Sequence, residues 1–429
     1  MICPRCAAPA IPGATFCTQC GAPLGLPDAG SATPAAPAPQ GPAERSLYAF
    51  ALAGVGCLAL LFGLFQLVVL LSIAKSFGVF LVAAILAILP VPIYAALILA
   101  LDRHVREPVW LLAGAFFWGA VVATSFAIVL NTGAGVILRS LIGADPGLAR
   151  QLTASLSAPP VEETSKGLAL LLIWVFFRAQ INDVVDGIVL GALVGLGFAM
   201  SENINYFARA YADGGLIGAG INFYGRVILG GFGHSMYTAA TGAGLGLAAE
   251  TTNPLVRGIA PVAGWCTAMF LHFLWNTVPA FIDPLVGNVG AAVQLLLIMP
   301  FQELVLSLPG IATLLIITFI AWRRENTVIA EYLRDEVGRG VVTPGEYAVL
   351  SDDRSRTRRV WQSLFAYGPA AWYVLRQFYN EAAALAFRKW HTARGERLPS
   401  YLRGQSEDAH RARLAHLRRR LQVIGVTAG

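Results

Sequence analysis

Charge is scarce in this chain. Of 429 residues only 13% are Asp, Glu, Lys or Arg, whereas 56% are hydrophobic, and the mean hydropathy is +0.63. A soluble domain carries about a quarter of its residues as charged ones. The deficit therefore excludes an ordinary soluble protein and leaves a polytopic membrane protein, long enough for several spans of about 20 residues each. The N-terminus lacks a basic stretch followed by an apolar one, so it is not a secretory signal, and the first membrane helix must direct insertion. The basic residues lack nucleic-acid-binding motifs, which argues against nucleic acid as a partner despite a net charge of +6. No internal repeat links the two halves of the apolar region, which disfavours the inverted-repeat architecture of many transporters.

The six cysteines are placed unevenly, with four in the first twenty residues: Cys3-Pro-Arg-Cys6, then ten residues, then Cys17-Thr-Gln-Cys20. Each C-x-x-C pair presents two thiolates from one turn, and two pairs close a tetrahedral site of the softness zinc prefers. Two disulfides or a redox pair are the alternatives. No βαβ pattern surrounds the cysteines, and about twenty residues build no core without a metal. The stretch resembles the short zinc-ribbon modules at the ends of many bacterial membrane proteins. A zinc-thiolate site implies a reducing compartment, so the N-terminus is expected in the cytoplasm, where the ribbon can meet a cytosolic protein partner. From Ala29 to Ala43 the chain is Pro, Ala, Gly and Ser with almost no charge, a semi-rigid tether.

The pattern predicts an all-α polytopic membrane protein with about eight transmembrane helices, a small N-terminal zinc ribbon and a helical C-terminal tail. The domains are a ribbon at 1–24, a linker at 25–45, a membrane domain at 46–323 and a basic tail at 324–429. Spans are expected near 47–73, 78–101, 109–131, 162–178, 184–207, 222–249, 258–281 and 291–322. Pro300 and Pro309 interrupt the last, which reads as one kinked helix or a half-helix followed by a full one. An even count returns the tail to the side of the ribbon. Arg103, Arg106, Arg178 and Arg257 then face the cytoplasm with the flanks Arg45, Arg323 and Arg324, opposed outside by Lys75, Arg139, Arg150 and Arg209. The tail carries nineteen Lys and Arg against eleven Asp and Glu from Arg323 onward. Its alternating charged and aromatic residues predict amphipathic helices lying on the membrane or on the catalytic body.

Ionisable groups inside spans are costly and mark function. Glu162 and Glu163 open the fourth span, Glu202 and Asn203 lie near the outer end of the fifth, His234 lies about halfway along the sixth, and His272 lies past the middle of the seventh. Spans of alternating direction thus carry acids and imidazoles in one slab, in the outer half of the bilayer. Lys166 follows Glu162 by four residues and Glu163 by three, so it can neutralise one carboxylate and leave the other to work. His272 and Asn276 are four apart and share a helix face. Asn182, Asp183 and Asp186 read as start signals of the fifth span, and Glu303 as a partner for a neighbouring helix.

The set Glu162-Glu163-Thr-Ser-Lys166, Phe198-Ala-Met-Ser-Glu202-Asn203, the lone His234 and His272-Phe-Leu-Trp-Asn276 resembles the PrsW-type intramembrane proteases, relatives of the CAAX-prenyl endopeptidases. The resemblance covers about 109–281. It implies a membrane-embedded endopeptidase that cuts transmembrane proteins near the outer face, anti-sigma factors being the best-known class of target. Two mechanisms stay open. In one, Glu163 or Glu162 is the general base for a water while His234, His272 and Asn276 stabilise the oxyanion. In the other, His234, His272 and Glu202 hold a catalytic zinc and a glutamate of the pair is the base. The chain lacks an H-E-x-x-H motif to force the metal version. A transporter using the same polar slab, or a non-catalytic scaffold presenting the ribbon, are the rival readings.

Overall fold

Hydrocarbon offers a backbone no water to pair with, so an apolar chain satisfies its polar groups inside helices. The computed structural model describes residues 3, 6, 8, 9, 17, 19, 60–103, 107–142, 145–177, 180, 181, 183–286, 293–395 and 406–429, and these are predominantly helical with no β-strand among them. Cys20, the linker 25–45, residues 47–59 of the first expected span, Arg178 and Asn182 lie outside the described residues. The chain divides into two compact units: a membrane body of residues 47–102 and 107–321, and a second unit of 1–46, 103–106 and 322–429.

In the membrane body, α1 (Leu60–Ala74) leads to α2 (Phe77–Ile88), α3 (Val91–Leu99) and α4 (Val109–Phe117). A π-helical turn, Trp118–Ala123, joins α4 to α5 (Thr124–Ile142). The short α6 (Pro146–Leu152) and a second π turn, Thr153–Ser157, feed α7 (Ala158–Phe176). Next come α8 (Val184–Phe223), a π turn at Tyr224–Leu229, α9 (Gly233–Glu250) and α10 (Pro254–Val286). Asp183 caps α8 as expected: its carboxylate accepts from the amides of Val185 and Asp186, and Asp186 bonds back to the Asp183 amide.

The last membrane stretch carries π turns at Gln294–Ile298 and Glu303–Ser307 around the four-residue α11 (Met299–Gln302), before α12 (Leu308–Gly338). Three of the five π turns among the described residues end two residues before a proline, at Pro159, Pro300 and Pro309. A proline has no N–H to donate and its ring crowds the carbonyl four residues back. A local widening of the helix relieves both, so a straight span in these places gives way to a stepped one.

Helix α8 is the pillar of the body, buried from Val184 to Ala199. Its crossing with α9 is made backbone to backbone. A Cβ on Gly187 would lie 2.0 Å from the Gly242 carbonyl oxygen, and one on Gly242 would lie 1.9 Å from the Gly187 oxygen. Small residues of this kind let membrane helices approach where no hydrophobic force separates protein from lipid.

Among the described residues, five stretches are long and apolar enough to cross a bilayer: Phe77–Leu99, Val109–Ser140, Val184–Glu250, Pro254–Val278 and Gln294–Gly338. The third, of 67 residues, contains the fifth and sixth expected spans. The fourth expected span is α7, whose Glu162, Glu163 and Lys166 keep it out of this purely apolar set. The sixth, expected at 222–249, is interrupted. Helix α8 departs from helical geometry at Gly214 and Gly215, the latter with φ of +61°, and the chain breaks again at Gly230–Phe232 before α9 begins.

In the second unit, the end of α12 packs with α13 (Pro344–Leu350), α14 (Asp353–Tyr367), α15 (Pro369–Ala393) and α16 (Glu407–Ile424). The apolar faces expected to lie on the membrane or on the catalytic body meet one another here, in a core that includes Ile329, Leu333, Leu375, Phe378 and Leu414. Glu336 is completely buried and receives bonds from Lys389 (3.0 Å) and Arg411 (2.8 and 3.0 Å). At the N-terminus, Cys3, Cys6 and Cys17 have sulfurs within 4.8 Å of one another, and the Cys3 amide donates to the Ala8 carbonyl at 2.9 Å.

Candidate active site

Helix α7 continues directly from the π turn at Thr153–Ser157, whose widening accommodates Pro159 and Pro160. The next turn brings Glu162, Glu163 and Lys166 into the body, all buried. Lys166 Nζ donates to Glu163 Oε1 at 2.5 Å and lies over the Phe198 ring at 4.3 Å. The same oxygen takes the Nδ1–H of His272 at 2.8 Å, and Thr238 donates to Glu163 Oε2 at 3.2 Å. Glu163 is thus a saturated anchor. Because its carboxylate holds the Nδ1 proton of His272, the Nε2 lone pair is left for other work, and it faces Glu162 Oε2 at 3.9 Å.

Lys166 also lies 3.1 Å from His234 Nδ1. An ammonium can only donate, so Nδ1 accepts, and a neutral His234 carries its proton on Nε2. That proton goes to Glu202 Oε2 at 2.9 Å. Glu202 is in turn paired with Arg226, whose Nε donates to Asn203 Oδ1 at 2.7 Å and whose guanidinium lies 3.7 Å over the Tyr206 ring. The His234 and His272 rings are 5.1 Å apart and nearly perpendicular, and Tyr237 stacks on His272 at 5.0 Å.

A cavity of about 730 Å³ opens onto Glu162, Glu202, Asn203, Arg226, His234 and His272. Glu162 Oε1 accepts from Asn131 Nδ2 at 3.2 Å, while its Oε2 is buried with no hydrogen-bond partner. Ligand atoms of Glu162, His234 and His272 lie within 4.8 Å of one another, so two imidazoles and a carboxylate meet at one point of the cavity wall. Such a donor set fits a hydrolytic zinc.

Residues 107–305 match the PrsW family of intramembrane metalloproteases, and residues 2–24 match a zinc-ribbon domain. The chain carries a PrsW protease domain. It is a multi-pass membrane enzyme that acts on membrane proteins. No curated protein and no solved structure matches it.

The PrsW domain gathers seven of the eight predicted residues into this one network of contacts. Asn276 is the exception: it lines the same cavity, but its amide donates to the Ala154 carbonyl at 2.8 Å and so ties α10 to the π turn ahead of α7. His234 is not in the middle of a span; it is the second residue of α9, just after the break at Gly230–Phe232. Lys166 chooses Glu163, which leaves Glu162 facing the cavity. In the cluster of potential ligands Glu162 stands where the sequence placed Glu202, because Arg226 and His234 already hold Glu202.

Arg226, Asn131, Thr238 and Tyr237 were not foreseen in the PrsW site. Arg226 had a signal, since an arginine within the apolar stretch Ile221–Leu229 is as anomalous as a glutamate there. Asn131 and Thr238 had none, because short polar residues in membrane helices more often bond their own backbone.

Proposed function

We propose that the protein is an intramembrane endopeptidase in which Glu162, His234 and His272 hold a divalent metal ion and Glu202 is the general base. The observation that carries this is the meeting of those three donor groups at the wall of a cavity, with one Glu162 oxygen buried and unclaimed. A bound zinc would supply Lewis acidity and lower the pKa of an attacking water. The protein's own groups do the rest. Glu163 and Lys166 fix the His272 tautomer from behind the cavity. Glu202 would take the water's proton, and Arg226, which lines the same cavity, would stabilise the developing oxyanion. The ribbon, by this reading, holds zinc through Cys3, Cys6, Cys17 and Cys20, with both termini cytoplasmic and the cavity in the outer half of the bilayer. The substrate is a transmembrane protein cut near its outer end, as an anti-sigma factor would be.

One observation favours a metal-free version. Both His234 nitrogens are engaged, Nδ1 by Lys166 and Nε2 by Glu202, and Glu162 could then act alone as base. Chelation separates the two. Stripping metal from the purified protein should abolish cleavage of a transmembrane reporter, with activity restored by added zinc. Full activity in a preparation shown to contain no metal would exclude the metal version.

A further inference from the structure

Three arginines from three helices line the catalytic cavity: Arg139 on α5, Arg150 on α6 and Arg209 on α8. Each is exposed, and none meets a carboxylate among the described residues. The nearby Asp145 is committed to capping α6 through the Gly147 amide. The carboxylates that line the cavity, Glu162 and Glu202, are less exposed than these arginines, and Glu202 is already paired with Arg226. Unmatched guanidinium groups around one cavity raise its potential and concentrate anions there. Asn205 also lines the cavity, and its side-chain oxygen has no hydrogen-bond donor. A peptide N–H would satisfy it, whereas the phosphodiester of a lipid headgroup has none to give.

We propose that Arg139, Arg150 and Arg209 form a subsite for the carboxylates of an acidic stretch flanking the scissile segment of the protein substrate, the chain passing Asn205 towards Glu162 and His272. This names the substrate class of the protease proposed above and rests on that reading. The arginines grip the flank and not the scissile bond.

The test uses the full-length protein in phosphatidylcholine nanodiscs and two fluorescent peptides of equal length, one of Asp, Glu and Gly and the other with the carboxylates replaced by amides. Anisotropy should show the acidic peptide binding about tenfold tighter at low salt, the size expected of a few exposed ion pairs acting together. The triple variant Arg139→Gln, Arg150→Gln, Arg209→Gln should lose that preference, and the triple Arg→Glu variant should prefer a lysine peptide. These are exposed side chains whose replacement leaves no buried group unpaired, and the reversal by Glu shows that loss of preference is not loss of folding. Equal binding of both peptides, or a preference retained by the Gln variant, overturns the proposal. So does a Gln variant that binds peptide normally but no longer retains added phosphatidylglycerol, which would assign the arginines to lipid. Single-span reporters that differ only in flank charge separate this proposal from its premise. Cleavage indifferent to the flank leaves the protease and removes the subsite; arginine-dependent binding with no reporter ever cleaved does the reverse.

Discussion

Two adjacent glutamates occupy opposite sides of one function. Glu163 spends both oxygens on Lys166, His272 and Thr238, while Glu162 keeps one buried oxygen unpartnered beside the two histidines. Their substitutions should therefore differ in kind. Groups that orient a metal ligand typically contribute about 10–100-fold in metal affinity, so Glu163→Gln should bind zinc about that much more weakly and recover activity in excess zinc. A Glu163→Gln protein with undiminished zinc affinity would deny Glu163 its positioning role. Replacing the proposed base, Glu202→Gln, should lower the rate of reporter cleavage by about 10²–10⁴-fold with zinc still bound. At this scale the sequence was legible wherever an ionisable group sat in an apolar run, as with Glu162, Glu202, His234 and His272. It could not say which glutamate Lys166 would take, because spacings of three and four both fit one helix face. The three-residue spacing won because Glu163 also meets His272 and Thr238 from two other helices.

The elements that set this geometry are a close helix crossing and a series of broken helices. The α8–α9 contact at Gly187 and Gly242 leaves no room for a Cβ, and a Cβ on Gly195 would lie 2.2 Å from the His234 carbonyl oxygen, so the same crossing holds the imidazole in place. Overpacking a core costs about 1–3 kcal/mol. Gly242→Val should lose at least that much in thermal unfolding of the solubilised protein, whereas Gly78→Ala, with open space around it, should be neutral; equal stability of the two would contradict the close crossing. The helical class followed from hydropathy. Pro300 and Pro309 marked the interruptions of the last span, but the other π turns and the break before His234 were not visible, since hydropathy reports how apolar a stretch is and not whether its helix is continuous. The run 222–249 looked like one span because glycines do not lower its hydropathy enough to mark the break at 230–232.

At the scale of the molecule, a PrsW domain is joined to a ribbon and a helical tail with separate sensitivities. The tail's core closes over Glu336. Burial alone would raise its pKa, but hydrogen bonds from Arg411 and Lys389 outweigh burial and hold it below the ordinary glutamate value. A carboxylate whose pKa is depressed on folding contributes stability above its unfolded pKa of about 4.3, and that contribution is lost as pH falls through the folded value. Hydrogen exchange in residues 322–429 of the whole protein should therefore quicken on acidification below about pH 4, and less so in Glu336→Gln, which has no such carboxylate to protonate. Unchanged protection across that range would contradict this assignment. The proposed reading gives ribbon and cavity one zinc each, so Cys17→Ser should lower the zinc content from two ions per chain to one, and a His272→Ala, Cys17→Ser double variant should bind none. The amphipathic pattern of the tail was legible, but whether its apolar faces met lipid or one another was not, because both bury the same residues.

The most direct measurement compares the new peptide termini of membrane proteins in cells that hold equal, fully inserted amounts of the native chain or of Glu162→Gln. The account predicts at least one terminus within or beside a transmembrane segment that appears with the native chain and disappears with the variant. Identical sets of termini in the two samples, for a substrate that the native chain demonstrably cuts, would contradict it.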